Sequence, residues 1–245
     1  MEVDAAVRAS RIAPAQTLFA RYERWQERWR ESILTALLVL LSSALFIDIP
    51  LSHARSSTAS ALAVTWLGSI LATGLIATRR RAAMIAMVLT CALVLAVNAL
   101  RIDTPSTLTI CAGAGSLALF MVLLGRIVWG AVYGPGTVTY HRVCGAIVLY
   151  LSIALAFAAF YQILLAVAPG AISGVASNGE YPVLSRSLIY YSLSTITSTG
   201  YGDLLPVHPV ARSLSNLEAV IGQLFPATFV ARIVAREMQA RRSPP

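Results

Sequence analysis

Long apolar runs dominate the pattern of hydrophobic and polar positions along this chain. A helix that spans a membrane needs about 20 mostly apolar residues. Five runs meet this requirement, fully or nearly: Ser32–Ile49, Thr58–Thr78, Ala82–Leu100, Leu108–Gly125 and Val143–Ala168. A sixth run, Leu214–Val234, is apolar except at Asn216, Glu218, Gln223 and Arg232. The pattern therefore predicts six transmembrane helices.

The segment between the fifth and sixth runs, Pro169–Pro209, has a different pattern. It begins as a loop rich in Gly, Ser, Asn and Pro. A short amphipathic stretch follows, Leu184–Thr197, which is too short to cross a membrane. Turn-forming residues come after it, at Gly200, Gly202, Pro206 and Pro209. We expect a re-entrant half-length helix and a loop between spans five and six.

The composition fits a membrane location. Of the 245 residues, 57% are hydrophobic and 12% are charged, whereas about a quarter of a soluble domain is charged. Disorder is excluded because it requires low hydrophobicity. The net charge of +8 comes from arginine, since the chain has no lysine. A nucleic-acid-binding protein would carry a stripe of basic residues on a polar fold, and this apolar sequence shows no such stripe. The expected fold class is an all-α membrane protein.

The arginines indicate the orientation through the positive-inside rule. With the N-terminus in the cytoplasm, fifteen of the nineteen arginines lie on the cytoplasmic side. The other four are Arg55, Arg101, Arg186 and Arg212. The sequence therefore predicts that both termini are cytoplasmic and that the segment after the fifth span faces outward.

The chain divides into five predicted segments. They are residues 1–31, amphipathic and cytoplasmic; 32–131, four membrane helices; 132–142, a cytoplasmic linker; 143–236, a helix, a loop and a helix; and 237–245, a short tail. In the first segment one helical face carries Leu18, Tyr22, Trp25 and Trp29. That face fits a helix in the membrane interface, and it fits equally a soluble helix or an extension of the first span.

The stretch Ser194–Asp203 reads Ser-Thr-Ile-Thr-Ser-Thr-Gly-Tyr-Gly-Asp and is the candidate for chemistry. Irregular backbone at membrane depth is tolerated only where it is buried in protein or lines a water-filled path. Successive carbonyl oxygens that point one way would offer a row of acceptors suited to dehydrated cations. Gly200 and Gly202 can adopt the dihedral angles that such a strand needs. The half-length helix also directs its negative C-terminal end toward the strand.

This stretch resembles the selectivity filter of tetrameric potassium channels, whose TVGYG loop replaces the hydration shell of the ion with carbonyl oxygens. The filter positions fall on Ser198, Thr199, Gly200, Tyr201 and Gly202, and the resemblance implies potassium ions at the first four. Implied filter-supporting residues are Asp203, Tyr190, Tyr191, Thr195 and Thr197. Gly222 falls on the hinge glycine of the inner helix. From Val143 onward the chain resembles bacterial ion channels with a pore module of the two-pore potassium channel type.

The filter departs from the usual motif at two positions. Ser198 replaces threonine, so it keeps the hydroxyl but lacks the methyl group that restricts the rotamer. Thr199 replaces valine or isoleucine and puts a polar side chain behind the strand. Some family members carry a carboxylate on the pore helix where this chain has Ser194. A potassium-selective channel and a weakly selective cation channel therefore both remain open.

The sixth predicted span contributes two further candidates. Glu218 is the one carboxylate well inside a predicted span, and ionisable groups there are functional hypotheses by default. It would either line the cavity and attract cations or brace the pore helix. The hydroxyl groups considered for bracing are those of Ser194, Thr195 and Thr197. Pro226 removes a helical hydrogen bond one turn after Gly222, so the pair would form an inner gate, unless the proline is simply tolerated.

The resemblance implies a passive channel, not an enzyme, in a bacterial plasma membrane. One strand per chain cannot enclose an ion, so the expected assembly is a homotetramer in a lipid bilayer. Potassium ions would permeate, with no organic cofactor and no nucleic acid. The span Leu108–Gly125 carries no charged residue, which predicts weak voltage dependence. A secondary transporter is the less favoured alternative, because it would need a second interrupted helix.

Overall fold

The computed structural model of the protein describes residues 33–48, 68, 70, 81–100, 106–134, 139–175 and 181–242. The predicted amphipathic segment 1–31 lies outside the described residues, as does the predicted span Thr58–Thr78 apart from two positions. Within the described ranges the backbone is mostly helical. The all-α class is thus confirmed there, and three helices are long and apolar enough to cross a membrane.

The described elements are numbered in chain order. Helix α1 covers residues 33–43 and continues as a π-helical turn, Ala44–Asp48. It is followed by α2, Arg81–Leu100, α3, Thr107–Val132, and α4, Tyr140–Val167. Strand β1, Ile172–Ser173, precedes the half-length α5, Tyr181–Ile196; β2, Leu205–Pro206, precedes α6, Pro209–Arg242. The three candidate spans are α3, α4 and the Pro209–Arg236 part of α6, and shorter apolar helices cover Ile33–Ile47 and Ile85–Ala96.

Helix α3 begins at a capping residue and ends later than the sequence predicts. The Ser106 hydroxyl accepts a hydrogen bond from the Thr109 amide at 3.2 Å and so satisfies a free donor of the first turn. The helix continues past Arg126 to Val132. Arginine is a good helix former and this one is exposed, so a single charge does not end an otherwise apolar helix. The next helix starts at Tyr140, inside the predicted linker 132–142.

Helices α5 and α6 also extend beyond their predicted bounds. Helix α5 has 16 residues and remains shorter than a membrane span. Helix α6 starts at Pro209, and the prediction of a turn there was wrong. Proline fits the first helical position because the missing N–H would have no helical acceptor there. The helix continues to Arg242 rather than stopping near Val234.

The largest apolar core among the described residues joins α1, α2, α3 and α4. Phe120, Leu124 and Val148 have no exposed surface in it. A Cβ atom added at Gly145 would lie 2.7 Å from a methyl carbon of Val132. A small residue at this position therefore lets α3 and α4 approach closely, as is common between membrane helices.

The two short strands hold the chain on either side of α5. They pair in antiparallel fashion, with Ile172 opposite Pro206. Next to them, a Cβ atom at Gly174 would overlap the carbonyl oxygen of Asp203, and Gly174 has a φ of +85°. The loop after α4 is therefore clamped onto the end of the segment that follows α5.

Candidate functional site

Helix α5 ends where the predicted filter begins. Its side chains Leu188 and Ile196 have no exposed surface, because the helix packs against both α4 and α6. A turn at residues 197–198 leads into a non-helical segment, and every residue from 197 to 203 is exposed on the described chain. The chain thus buries the half-length helix and leaves the following strand open.

Three residues of this strand have a positive φ. The angles are +55° at Ser198, +57° at Gly200 and +82° at Gly202. Glycine adopts this region at no steric cost, which accounts for the two glycines of the motif. Serine is disfavoured there, and its hydroxyl accepts a hydrogen bond from Nε2 of Gln223 at 2.7 Å. Helix α6 therefore contacts the first position of the predicted filter directly.

Ser194 joins the end of α5 to the strand. Its carbonyl oxygen accepts the amide N–H groups of Thr199 at 2.9 Å and Gly200 at 3.2 Å. Its hydroxyl accepts the amide of Tyr201 at 3.4 Å. These bonds satisfy N–H groups that would otherwise compete for acceptors along the strand. Ser194, which stands where some members of the resembling family carry a carboxylate, thus anchors three residues of the predicted filter.

The threonines of the predicted filter support bond locally. The Thr195 hydroxyl donates to the Tyr191 carbonyl oxygen at 2.8 Å, inside α5. The Thr197 hydroxyl donates to the Leu193 carbonyl oxygen at 2.7 Å and lies 2.8 Å from the Thr199 hydroxyl. The Thr199 side chain, which departs from the usual motif, therefore has a polar partner.

Two tyrosine rings lie side by side at the outer end of the strand. The rings of Tyr190 and Tyr201 stack with centroids 5.6 Å apart and planes inclined by 13°. Helix α5 thus contacts the strand through the Tyr190 ring as well as through Ser194.

Gly222 lies at the closest approach between α5 and α6. A Cβ atom there would overlap the Ile196 carbonyl oxygen at the end of α5. The same carbonyl accepts a hydrogen bond from the Tyr150 hydroxyl of α4 at 2.8 Å. The residue predicted as a hinge is thus also a packing site. Pro226 lies inside α6 one turn later, where it leaves the Gly222 carbonyl without a helical donor.

A cluster of polar side chains is buried between α4, α5 and α6, and we call it the polar cluster. Glu218 is at its centre with no exposed surface. Its carboxylate accepts hydrogen bonds from the Ser192 hydroxyl and, at 2.7 Å, from the Tyr161 hydroxyl. Ser215 bonds to Tyr161 at 3.2 Å and to Tyr191 at 2.6 Å. The polar cluster therefore links all three helices around the pore segment.

The predicted bracing partners of Glu218 were wrong. The expected hydroxyls were those of Ser194, Thr195 and Thr197, yet Ser192 supplies the bond from α5. The reason is helical geometry, because side chains on one face recur every three or four residues. Ser192 shares the face of α5 that carries Leu188 toward the interior, whereas Ser194 and Thr197 point toward the strand.

Sequence reasoning missed several side chains that hold this site, including Ser192 and Ser215 of the polar cluster. Tyr150 and Tyr161 read as ordinary members of an apolar run, because tyrosine is amphipathic and fits a buried helix. Gln223 was noted only as a polar interruption of the sixth span. The available signal was that buried hydroxyl and amide groups need partners, so polar atoms in neighbouring spans are expected to meet.

The site is built from oxygen ligands on neutral groups. In the part of the chain that the structure describes, no group of three or more His, Cys, Asp or Glu side chains could hold a metal ion. The strand offers instead carbonyl and hydroxyl oxygens. The C-terminal end of α5 adds the partial negative charge of a helix terminus. Such a set suits a monovalent cation that exchanges quickly.

A half-length helix and a glycine-containing strand between two membrane-length helices form the class of segment found in channel proteins. The comparisons with known families agree. Residues 146–239 match the model of a family described as "Ion channel". The matched region contains most of α4, all of α5, the strand and nearly all of α6. This match supports a place for residues 146–239 in the potassium-channel superfamily.

A relative with a curated description is similar to part of the chain. Protein LctB of Bacillus caldotenax is 36% identical over 88 residues, which cover 35% of this chain and 64% of that protein. The similarity thus spans less than two thirds of the length of that relative. No solved structure matches the chain.

Proposed function

We propose that the protein is a passive cation channel, selective for potassium, whose filter consists of residues 198–202 from each subunit. The observation that carries this proposal is the strand after α5. It has positive φ angles at Gly200 and Gly202 and lies inside the segment that matches an ion-channel family model. Potassium ions would bind between carbonyl oxygens of the strand and the Ser198 hydroxyl.

A homotetramer is the assembly that this function requires, since one strand cannot surround an ion. In the single chain, residues 197–203 are exposed. Only 11% of the most apolar stretch of α6 is buried against the rest of the chain. An exposed apolar helix needs lipid or protein neighbours. Three further copies around a fourfold axis would bring the four strands together and cover the inner face of α6.

The proposed topology has six spans, a re-entrant α5 and both termini in the cytoplasm. Its support is the distribution of arginine, since Arg126, Arg142, Arg232 and Arg236 lie at the same end of α3, α4 and α6. A bacterial plasma membrane fits the source of the similar protein. The first four spans would serve as a collar that packs against α4 and anchors it in lipid.

Ion flux through liposomes tests this function. Purified full-length protein is reconstituted, and the release of potassium and of sodium is followed separately. Fast potassium release with sodium retained supports the proposal. Equal release of both ions would favour the weakly selective cation channel instead, for which Ser198 and Thr199 give a specific reason. Slow, saturable uptake that needs a second ion would point to a transporter.

A further inference from the structure

A side-chain hydrogen bond joins the predicted filter to α6. Nε2 of Gln223 donates to the Ser198 hydroxyl oxygen at 2.7 Å, across 25 positions of the chain. Ser198 is the first position of the predicted filter, and Gln223 directly follows Gly222 in α6. The bond therefore lets a residue outside the strand act on an oxygen atom that would face the ion.

The backbone on both sides of this bond is held by packing. A Cβ atom at Gly222 would overlap the Ile196 carbonyl oxygen, so α6 and the end of α5 are in direct contact there. The same carbonyl oxygen accepts a hydrogen bond from the Tyr150 hydroxyl of α4 at 2.8 Å. Gln223 lies one residue from this contact and Ser198 lies two residues from it. The amide therefore reaches the hydroxyl from a backbone that two neighbouring helices hold in place.

Serine suits the backbone at the first filter position but leaves its hydroxyl loosely oriented. With a φ of +55°, Ser198 lies in a region that a β-branched residue such as threonine adopts even less readily. Serine lacks the methyl group that restricts the rotamer of threonine, so three staggered positions are open to its hydroxyl. A hydroxyl oxygen carries two acceptor lone pairs. The Gln223 amide uses one of them and so fixes the direction of the other.

The bond is suited to positioning a group and adds little to stability. Both side chains are exposed on the described chain. An exposed hydrogen bond between neutral groups contributes little to folding, because water offers equivalent bonds to the same atoms. The Thr199 hydroxyl, by comparison, lies 2.8 Å from the Thr197 hydroxyl of its own segment. The two filter positions that depart from the usual motif are thus oriented from different places, Ser198 from α6 and Thr199 from the segment itself.

We propose that Gln223 is a positioning residue for ion selection. Its side-chain amide holds the Ser198 hydroxyl in the orientation that suits a permeating potassium ion, and it replaces in this respect the methyl group of the usual threonine. A hydroxyl that turns freely could move its oxygen closer to a smaller ion, so loss of the amide would admit sodium. The inference rests on the proposed potassium-channel function and extends it to a residue outside the strand.

The test is the ratio of potassium to sodium permeability, taken from reversal potentials in planar bilayers with potassium on one side and sodium on the other. The full-length protein is compared with Gln223→Met, which keeps the length of the side chain and removes the donor, and with Gln223→Ala. A double-mutant cycle adds Ser198→Ala and the combination of Ser198→Ala with Gln223→Met. The matched control is Thr228→Val, because the exposed Thr228 hydroxyl donates within α6, to the Leu224 carbonyl oxygen at 2.7 Å.

Gln223→Met and Gln223→Ala should each lower the permeability ratio about fivefold, the effect of one lost hydrogen bond. The double variant should have the same ratio as Ser198→Ala, because the amide acts through the hydroxyl that this variant has already lost. Thr228→Val should keep the ratio of the parent protein. Thermal unfolding in detergent should be the same for the parent and for both Gln223 variants, since the bond is exposed.

An unchanged ratio in both Gln223 variants would overturn the proposal, as would an equal loss in Thr228→Val. Effects of Gln223→Met and Ser198→Ala that multiply in the double variant would also overturn it, because the two residues would then act independently. A parent protein that passes both ions equally contradicts the proposed potassium channel and this inference with it. A selective parent whose ratio survives the loss of the amide contradicts only the role of Gln223.

Discussion

Glu218 lies in the N-terminal half of α6 with no exposed surface. Moving a carboxyl group from water into an apolar interior costs free energy unless hydrogen bonds compensate. Here the hydroxyls of Ser192 and Tyr161 donate to its two oxygens. Each hydroxyl comes from a different helix, so satisfying one buried group fixes α5 against both α4 and α6. This favours bracing over an open cavity as the role of Glu218.

Replacing Tyr161 by phenylalanine tests that role. The ring remains and the hydroxyl that bonds to Glu218 at 2.7 Å and to Ser215 at 3.2 Å is lost. We expect a loss of about 1–3 kcal/mol in the free energy of unfolding, because buried polar partners are left unsatisfied. Chemical unfolding in detergent measures it. The control is Tyr140→Phe on the same helix, where the side chain is 72% exposed; equal stability of both variants would contradict the bracing role.

The strand residue Gly200 carries a second prediction at this scale. Its φ is +57°, and nothing lies within 4 Å of an added Cβ atom. Alanine at this position would therefore cost about 1–3 kcal/mol in backbone strain, without a steric clash. We expect potassium flux to disappear while the tetramer survives. Gly170→Ala is the control, since Gly170 has a φ of +84° and equal space but lies in the loop after α4. Normal flux in Gly200→Ala would show that the strand is not the filter.

At the scale of elements, long apolar runs were sufficient to predict that the described segments are helical, and insufficient to predict where the helices end. The filter-like motif and the half-length α5 could be predicted from the sequence, because both depend on residues that are close together in the chain. Helix α3 continues beyond Arg126 because a single exposed arginine does not end an apolar helix. Helix α6 starts at Pro209 because proline fits the first position of a helix. The polar cluster could not be predicted, because Tyr161 and Glu218 are 57 positions apart and only packing brings them together.

The contact between α5 and α6 at Gly222 gives a prediction for the elements. A Cβ atom would overlap the Ile196 carbonyl oxygen, which belongs to the backbone and cannot rotate away. Gly222→Ala should therefore separate the two helices and lower the stability by about 1–3 kcal/mol, as overpacking does. Thermal unfolding in detergent is the measurement.

Gly115→Ala is the matched control for this contact. Gly115 lies inside α3 with nothing within 4 Å of an added Cβ atom. Alanine is the better helix former by about 1 kcal/mol, so this variant should be as stable as the parent or more stable. If Gly222→Ala behaves in the same way and changes only the gating of the channel, Gly222 is a hinge and its packing role is wrong.

For the whole molecule, the first consequence is the number of chains. The exposed strand and the exposed face of α6 need partners in any conducting assembly. Chemical cross-linking of the full-length protein in mild detergent should give a ladder that ends at four chains. Sedimentation of the same sample provides an independent mass. A ladder that stops cleanly at two chains is incompatible with a pore that has one filter strand per subunit.

The second consequence concerns voltage. A voltage sensor moves about 3–4 charges per subunit, each worth roughly 2.3 kcal/mol per 100 mV across the full field. Helix α3 carries Arg126 as its one charged residue, and this side chain is exposed less than two turns from the helix end at Val132. Its long stem can bring the guanidinium group to the interface, so it would cross little of the field.

The whole tetramer would then respond to voltage with a small fraction of the energy of a true sensor. We expect an open probability that changes gently with voltage, measured as a conductance–voltage curve in planar bilayers under symmetric potassium. Arg126→Gln should leave the shape of that curve unchanged, because the residue is expected to sense little of the field. A steep sigmoid that becomes shallow in Arg126→Gln would show instead that α3 moves its arginine through the membrane, and the collar would have to be reinterpreted as a sensor.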